Sequence, residues 1–428
     1  MTPDTGPEKA ALRRITVRVL PLLFAAYFVA YIDRVNVGFA ALTMNAALGL
    51  NAEQYGLAAG LFFAGYVAFG VPSNLALARL GGRRWIPAIM ICWGICSLLN
   101  AFVVGPHSFY LVRLVLGIGE AGLYPGLLYI LNQWFPGRYR VRMLSLLILS
   151  TPFSITVGSL VSQPILALDG MAGLAGWQWL FILQALPTIG LGIIIFFLLP
   201  DAPDTARWLR GSERQWLLQQ LETEKIRRET IRRFSIVQAL TSRTVWLIGL
   251  AGSGINAAVY GLILFLPQMI HALGVSNAMT PLVNAIPFAV AGVVMVLWGI
   301  HSDRRMERNW HAAIPAAIAG LALIACTLLT NPVAVMAALT LGITGIFCYV
   351  AVFWAVPSAM LTGSAAAAGL ALVNTIANVG SLAGPYIVGW VKNASGSFAL
   401  GIVILGLGPL AAAMIAASLR SARKFEQV

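Results

Sequence analysis

The chain has 428 residues, of which 59% are hydrophobic and only 10% charged, and its mean hydropathy is +0.84. Soluble globular domains carry about 25% charged residues, so the composition excludes that class. The formal net charge of +13 raises the question of a nucleic-acid partner, which the distribution of the basic residues answers.

Apolar runs long enough to cross a bilayer recur along almost the whole chain. A helix needs about 20 apolar residues to cross a hydrocarbon core of about 30 Å. Backbone groups in lipid must be hydrogen-bonded within the protein, and the alternating strands of a barrel are missing, so we predict helices. The twelve predicted spans are 16–44, 53–78, 85–104, 108–132, 143–167, 176–199, 244–271, 279–301, 312–330, 333–361, 365–391 and 397–419.

Lysines and arginines are unevenly distributed between the two sides of this pattern. If successive spans cross in alternate directions, all but three of the 28 basic residues fall either within one set of loops or in the two termini on the same side. The positive-inside rule makes that side cytoplasmic, so both termini are predicted to be cytoplasmic. Topology therefore explains the net charge, and we expect no nucleic-acid partner.

Motifs for metal, cofactor or enzyme chemistry are missing from the sequence. The four cysteines, Cys92, Cys96, Cys326 and Cys348, fall within predicted spans and form no Cys-x-x-Cys motif. The chain also lacks a His-Glu-x-x-His motif and a Gly-rich phosphate loop. We therefore expect neither a membrane-embedded enzyme nor a bound metal or cofactor.

A polar segment divides the predicted spans into two sets of six. We assign 1–200 to a first six-helix half, 201–242 to a cytoplasmic linker containing an amphipathic helix, and 243–428 to a second half. Basic turns occur at matching positions, "SNLALARLGGRRW" after span 2 and "WGIHSDRRMERNW" after span 8. Duplicated halves with a substrate site between them are typical of secondary transporters.

Charged residues inside the spans are the candidate functional residues. Of the 15 acidic residues, only Asp33 and Glu120 lie deep within predicted spans, accompanied by Arg34 and Arg113. Intramembrane charges are costly and usually functional. A buried carboxyl whose surroundings alternate can bind and release a proton, so we predict that Asp33 and Glu120 carry protons.

Helical spacing suggests how these charges pair. Arg113 and Glu120 are seven residues apart and share a helix face, whereas Asp33 points about 100° away from Arg34. Our hypothesis is that Asp33 faces Arg113, which leaves Arg34 free to bind a substrate carboxylate in bidentate fashion. The alternative is that these charges form ion pairs that only hold the helices together.

Four sequence stretches, taken together and in order, resemble one transporter family. They are "YIDRVNVGFA", "RLVLGIGEAGLYPGLLYILNQWFPGRYR", "WGIHSDRRMERNWH" and "FWAVPSAMLTGSAAAAGLALVNTIANVGSLAGPYIVGW". The chain resembles the major facilitator superfamily, and within it the anion:cation symporter family. That family includes permeases for tartrate, phthalate, 4-hydroxyphenylacetate and sugar acids.

The resemblance implies an all-α membrane protein with the twelve-helix major facilitator fold and assigns roles to individual residues. It implies that Asp33 and Glu120 are the protonation sites, with Arg113 in the same coupling network, and that Arg34 contacts the anion. Four further residues match positions that contact substrate in related permeases, although packing explains each equally well: Tyr31, Tyr66, Trp354 and Asn374. Interhelical hydrogen bonds explain the other polar residues adequately: Asn256, Tyr260, Gln268 and Asn378.

The two basic turns resemble the gate motif of the superfamily. We expect Arg79 and Arg83 of the first copy, with Asp303 and Arg304 of the second, to form a cytoplasmic gate. The family normally has an acidic residue before the first arginine, whereas this chain has Ala78 there. The gate contacts are therefore expected to be unequal in the two halves.

The favoured function is proton-coupled symport, by alternating access, of a small organic carboxylate into the cell. We expect a monomer that crosses the bacterial inner membrane many times. The alternative is a proton-coupled antiporter or exporter of amphipathic compounds, which the preference of Arg34 for anions disfavours. Aromatic acids, dicarboxylates and sugar acids all remain open as the substrate, since the choice depends on pocket shape.

Overall fold

The computed structural model of this protein describes residues 6–230, 241–305, 307–353 and 364–418. Every regular element in these ranges is a helix, which confirms the predicted all-α class. Short 3-10 turns lie at Asn100–Phe102 and Met171–Gly173. The α-helices are α1 (Pro7–Arg18), α2 (Leu20–Ala47), α3 (Ala52–Leu80), α4 (Gly82–Leu99), α5 (Pro106–Glu120), α6 (Leu123–Trp134), α7 (Gly137–Leu166), α8 (Gly176–Leu198), α9 (Gly211–Thr230), α10 (Arg243–Ala272), α11 (Thr280–Arg305), α12 (Asn309–Cys326), α13 (Pro332–Phe353), α14 (Ser364–Ser395) and α15 (Ala399–Ser418).

Eleven helical stretches within the described residues are long and apolar enough to cross a membrane. Each of the eleven coincides with a predicted span, so this part of the twelve-span prediction is confirmed. The remaining predicted span, 365–391, falls on α14, which is helical over 32 residues but does not belong to the eleven.

Local sequence signals set several helix ends. Asn51 caps α3, because its side chain accepts a hydrogen bond from the Gln54 amide at 2.8 Å and the Gln54 side chain accepts one from the Asn51 amide. Gly81 ends the same helix with a φ of +76°, a conformation that favours glycine. Pro125 cannot donate to the carbonyl of residue 121, and the helix breaks there, between α5 and α6. This break leaves Glu120 as the last residue of α5.

The linker helix α9 packs beside α1 against the first half of the chain. Glu213 on α9 forms an ion pair with Arg14 on α1 at 3.3 Å. Glu224, also on α9, contacts Arg140 at the start of α7 at 3.0 Å. The amphipathic helix predicted in the linker is therefore present, and it lies at the end of the bundle that carries the basic turns. We call this the basic end.

The two sets of helices, α2–α8 and α10–α15, meet at the opposite end of the bundle. A Cβ on Gly60 of α3 would lie 2.8 Å from the carbonyl oxygen of Leu382 on α14, so only glycine permits this approach. The Tyr55 hydroxyl donates to the Leu264 carbonyl at 2.9 Å, which joins α3 to α10. The Asn284 amide donates to the Ser159 hydroxyl at 2.9 Å, which joins α11 to α7.

At the basic end, the predicted gate residues make their contacts within their own half. Arg83 lies 3.3 Å from Asp201 at the end of α8, and Asp303 lies 2.6 Å from Arg308. Arg79 and Arg304 have exposed side chains. The four residues form no ion pair with one another, and their role as a gate stays a prediction.

Among the described residues, these contacts between the halves therefore lie toward the end opposite the basic end.

Candidate functional site

A cavity lies between the two halves. Its walls come from α2, α3, α6 and α7 on one side and from α10, α13 and α14 on the other. Its charged lining residue is Arg34, and its polar lining residues are Tyr27, Tyr31, Tyr66, Tyr124, Thr151, Asn256, Tyr260, Asn374 and Asn378. A single cation surrounded by hydroxyl and amide groups favours a small anion that also accepts or donates hydrogen bonds.

Arg34 lies at the centre of the polar contacts in this cavity. Its Nη2 forms an ion pair with Glu120 Oε1, and its Nη1 donates to the Tyr260 hydroxyl at 3.0 Å. The guanidinium also lies over two tyrosine rings, 4.9 Å from the centroid of Tyr31 and 5.5 Å from that of Tyr66. Arg34 Nε and Glu120 Oε2 are buried without a hydrogen-bond partner. Arg34 Nε–H and Glu120 Oε2 therefore remain available to a ligand or a proton.

The expectation that Arg34 would be left without a carboxylate partner was wrong. Glu120 is fully buried, and removing an unpaired carboxylate from water costs several kcal/mol of stability. The Arg34 side chain is long enough to reach it from α2, so the two charges neutralise each other.

Asp33 forms no ion pair with Arg113, which it was predicted to face, although the two opposite charges lie close enough to attract each other. The Asp33 carboxylate accepts hydrogen bonds from the Ser97 hydroxyl, from Trp93 Nε1 at 3.2 Å and from Asn36 Nδ2 at 3.3 Å. Neutral donors hold Asp33, two from α4 and one, Asn36, from its own helix α2. It is 3% exposed and lies behind the cavity wall rather than in it.

Arg113 is buried beside the Arg34–Glu120 pair. Its guanidinium lies 5.0 Å from the centroid of the Phe62 ring, and that of Arg34 lies 5.6 Å from the same ring. The electron-rich ring faces attract both cations, which allows two like charges to approach one another. The structure thus brings Arg34, Arg113 and Glu120 together around Phe62.

The structure describes four of the five residues predicted to bind substrate. They are Arg34, Tyr31, Tyr66 and Asn374, all of which line the cavity, and their contact with a substrate stays a prediction. Trp354 lies outside the described residues. Sequence reasoning missed the cavity positions of Tyr27 and Tyr124, and it assigned three others to hydrogen bonds between helices: Asn256, Tyr260 and Asn378.

The missed residues do carry a detectable signal. Asn256 and Tyr260 are four residues apart on α10, and Asn374 and Asn378 are four apart on α14, so each pair lies on one helix face. Asn256 also donates to the Ala377 carbonyl at 3.1 Å. It therefore serves both as an interhelical contact and as a cavity wall.

Two histidines and a glutamate form a hydrogen-bonded chain at the basic end, outside the cavity. His301 Nδ1 lies 2.8 Å from His311 Nε2, and His311 Nδ1 lies 2.7 Å from the Glu307 carboxylate. Partial burial opposes ionisation of Glu307, but hydrogen bonds from the Trp310 amide and from His311 outweigh it and hold the pKa of that carboxyl below its usual value. Within the described residues, no group of three or more His, Cys, Asp or Glu side chains could hold a metal ion.

Comparison with known proteins identifies the family. Residues 23–385 match the model of the Major Facilitator Superfamily. The chain belongs to this superfamily. It is therefore a multi-pass membrane protein and a secondary transporter, and it is not an enzyme, as the sequence predicted.

Several curated relatives extend over nearly the whole chain. A protein from Agrobacterium vitis named "Putative tartrate transporter" is 42% identical over 395 residues, covering 92% of this chain and 91% of the relative. The quinolone resistance transporter of Acinetobacter baumannii is 37% identical, with 94% and 92% covered. The inner membrane transport protein RhmT of Escherichia coli K12 is 35% identical, with 99% and 98% covered. These relatives confirm the predicted resemblance to the anion:cation symporter branch.

Solved structures of the same fold have much lower sequence identity. A bacterial homologue of the human lysosomal transporter Spinster, in an inward-facing and occupied conformation, is 19% identical with a TM-score of 0.75, covering 95% of this chain and 96% of that one. The E. coli xylose transporter XylE in an inward open conformation is 13% identical with the same score, covering 95% and 98%. At these identities the likeness establishes the fold alone.

Proposed function

We propose that this protein imports a small organic carboxylate, such as tartrate, together with protons by alternating access. In this proposal twelve spans form two six-helix halves, 1–200 and 243–428, joined by the cytoplasmic linker 201–242. The protein lies in the bacterial inner membrane as a monomer with both termini in the cytoplasm. The basic end is then cytoplasmic, and the conformation described here is the inward-facing one.

The observation that carries the proposal is the Arg34–Glu120 pair at the cavity wall. Arg34 is the charged residue of the lining, and a guanidinium fork matches a carboxylate. Glu120 is bound through one oxygen only, and its second oxygen has no hydrogen-bond partner. A relative named for tartrate, 42% identical to this chain, supports a small organic anion.

Coupling follows from competition for the same guanidinium. When Glu120 takes up a proton it loses its charge, and its attraction for Arg34 weakens. Arg34 is then available for a substrate carboxylate, so that proton binding favours anion binding and, by linkage, the anion favours the proton. Asp33 is the second proton site in this scheme, and Arg113 adds a fixed positive charge beside the pair.

Variants of the charged residues test the assignment. In proteoliposomes, we expect Asp33→Asn and Glu120→Gln to lose tartrate accumulation driven by a pH gradient while retaining tartrate exchange. Arg34→Gln should lower tartrate affinity by at least about tenfold, because it removes a charged partner from a buried site. Arg84→Gln is the matched control, since Arg84 is exposed at the basic end. Full gradient-driven accumulation by both carboxyl variants would refute the roles given to them.

A second candidate function is proton-coupled export of amphipathic compounds. The relative named as a quinolone resistance transporter, 37% identical over 401 residues, favours it. A binding competition between tartrate and labelled quinolone distinguishes the two candidate functions. If tartrate displaces labelled quinolone and is itself accumulated, the import proposal holds, whereas extrusion of quinolone that tartrate does not affect would favour the exporter.

A further inference from the structure

The Tyr260 hydroxyl joins the two halves inside the cavity by hydrogen bonds, one of them from the residue proposed to bind the anion. Arg34 on α2 donates through Nη1 to the hydroxyl of Tyr260 on α10 at 3.0 Å. The Tyr260 hydroxyl also lies 3.4 Å from that of Tyr31, and its ring packs on Phe63 at 4.4 Å between centroids. Tyr260 is only 7% exposed. Its position is therefore fixed by neighbours from the other half.

Tyr260 occupies a donor that a substrate carboxylate would need. A carboxylate binds a guanidinium most strongly through two parallel N–H donors. In this conformation Glu120 holds Nη2 and Tyr260 holds Nη1, whereas Nε has no partner. Each Nη carries two N–H groups, but any two-point contact with a carboxylate uses at least one nitrogen that already donates to Glu120 or Tyr260, and the carboxylate competes with that partner for it.

We propose that Tyr260 is a positioning residue that competes with the substrate carboxylate for Arg34 when the cavity opens to the basic end. This inference rests on the proposed function. By taking one Arg34 donor, Tyr260 lowers the affinity for the anion in the inward-facing conformation and so promotes its release into the cytoplasm.

The competition depends on the relative position of the halves. Tyr260 lies one helical turn before Leu264, whose carbonyl accepts the Tyr55 hydroxyl in the contact that closes the opposite end. To open that end, the halves must separate at this contact. Tyr260 then moves away from Arg34, and the donor becomes available to an anion arriving from outside.

The variant Tyr260→Phe removes the hydroxyl and keeps the ring that packs on Phe63. Tyr386→Phe is the matched control, because Tyr386 is 37% exposed on the surface of α14 and lies outside the cavity lining. The KM for tartrate is measured on each side separately, in right-side-out and in inverted membrane vesicles. For Tyr260→Phe we expect the cytoplasmic-side KM to fall about tenfold, the effect of removing one competing hydrogen bond to a charged group. The outer-side KM should change by less than about twofold, as should both values for Tyr386→Phe.

Two results would overturn the proposal. A higher cytoplasmic-side KM for Tyr260→Phe would make Tyr260 a substrate ligand rather than a competitor. Unchanged values on both sides would make the hydrogen bond inconsequential.

A second measurement needs no substrate. Spin labels are attached at Leu80→Cys and Trp310→Cys, two exposed positions at the basic end, one in each half, with the exposed Cys92 replaced by serine. Loss of the bond between the halves should move part of the population in Tyr260→Phe to shorter distances, as the basic end closes. An unchanged distance distribution would overturn the proposed tie. If the wild type transports no carboxylate, the proposed function fails, and the distances alone decide whether Tyr260 joins the halves.

Discussion

Removing the Arg34 guanidinium should leave the buried Glu120 carboxylate without an ion pair, because Arg34 is its ion-pair partner among the described residues. Glu120 is 0% exposed, and Arg34 Nη2 is its hydrogen-bond donor. Breaking a buried ion pair from one side costs about 3–5 kcal/mol, because the remaining charge is left uncompensated. Arg113 lies beside Glu120 and offsets part of its charge, so we expect Arg34→Gln to lower the free energy of unfolding by about 3 kcal/mol, the lower end of that range.

The double variant separates this pairing from a general packing defect. Arg34→Gln with Glu120→Gln leaves two neutral amides, so no uncompensated charge remains and most of the lost stability should return. The free energy of unfolding is measured by detergent titration for the wild type, the two single variants and the double variant, which gives the coupling energy directly. We expect a coupling energy of at least about 2 kcal/mol.

The control is a second double-mutant cycle, which combines Arg84→Gln with Glu120→Gln. Arg84 is exposed at the basic end, so these two changes should be additive within about 0.5 kcal/mol. If the Arg34 cycle is equally additive, Arg34 and Glu120 do not stabilise one another and the description of the site is wrong.

Two further predictions concern the groups that hold carboxyls in place. Ser97→Ala removes a hydrogen-bond donor from the buried Asp33 and should lower the free energy of unfolding by about 1–3 kcal/mol. The control is Ser154→Ala, which should cost less, because the Ser154 hydroxyl donates to the Ser150 carbonyl on its own helix. Equal losses in the two variants would contradict the Asp33 contact. The second prediction concerns Glu307, whose pKa is held below its usual value. The ionised form of Glu307 therefore stabilises the fold at neutral pH. That contribution disappears as the pH falls through the lowered pKa. Thermal unfolding should therefore find Glu307→Gln less stable than the wild type at neutral pH and equal to it in acid, and a difference that persists unchanged into acid would contradict this sign.

Most of the helical architecture could be predicted from the sequence, because the membrane constrains it so strongly. Span length, the scarcity of charge within spans and the side on which the basic residues accumulate leave few alternatives. Pro125 could also be predicted to interrupt its helix, since the missing N–H acts locally. The helix α9 followed from the spacing of apolar residues in the linker.

The pairing of the buried charges could not be predicted in the same way. Helical spacing fixes the direction in which a side chain leaves its own helix, but not which helix it meets. The sequence was therefore enough to predict that Asp33 and Arg34 point in different directions. It was not enough to predict their partners, which depend on how α2 packs against α4 and α5. Ser97 and Trp93 hold Asp33, and Glu120 is within reach of Arg34, for reasons of tertiary packing alone.

Cavity residues were missed for a different reason. A tyrosine or asparagine in a span has an adequate explanation as a packing or hydrogen-bonding residue. Tyr260 and Asn256 have that role as well, so single residues could not be distinguished. The spacing of polar pairs four residues apart, on two helices of the second half, is the signal that would have identified them.

The central claim is that buried carboxyls load protons while Arg34 holds the anion. Its most direct test measures internal pH and tartrate together in proteoliposomes that contain a trapped pH-sensitive dye. The account predicts that external tartrate acidifies the interior, that an imposed inward proton gradient drives accumulation, and that Glu120→Gln abolishes both effects. Tartrate uptake that leaves the internal pH unchanged and ignores the imposed gradient would contradict it.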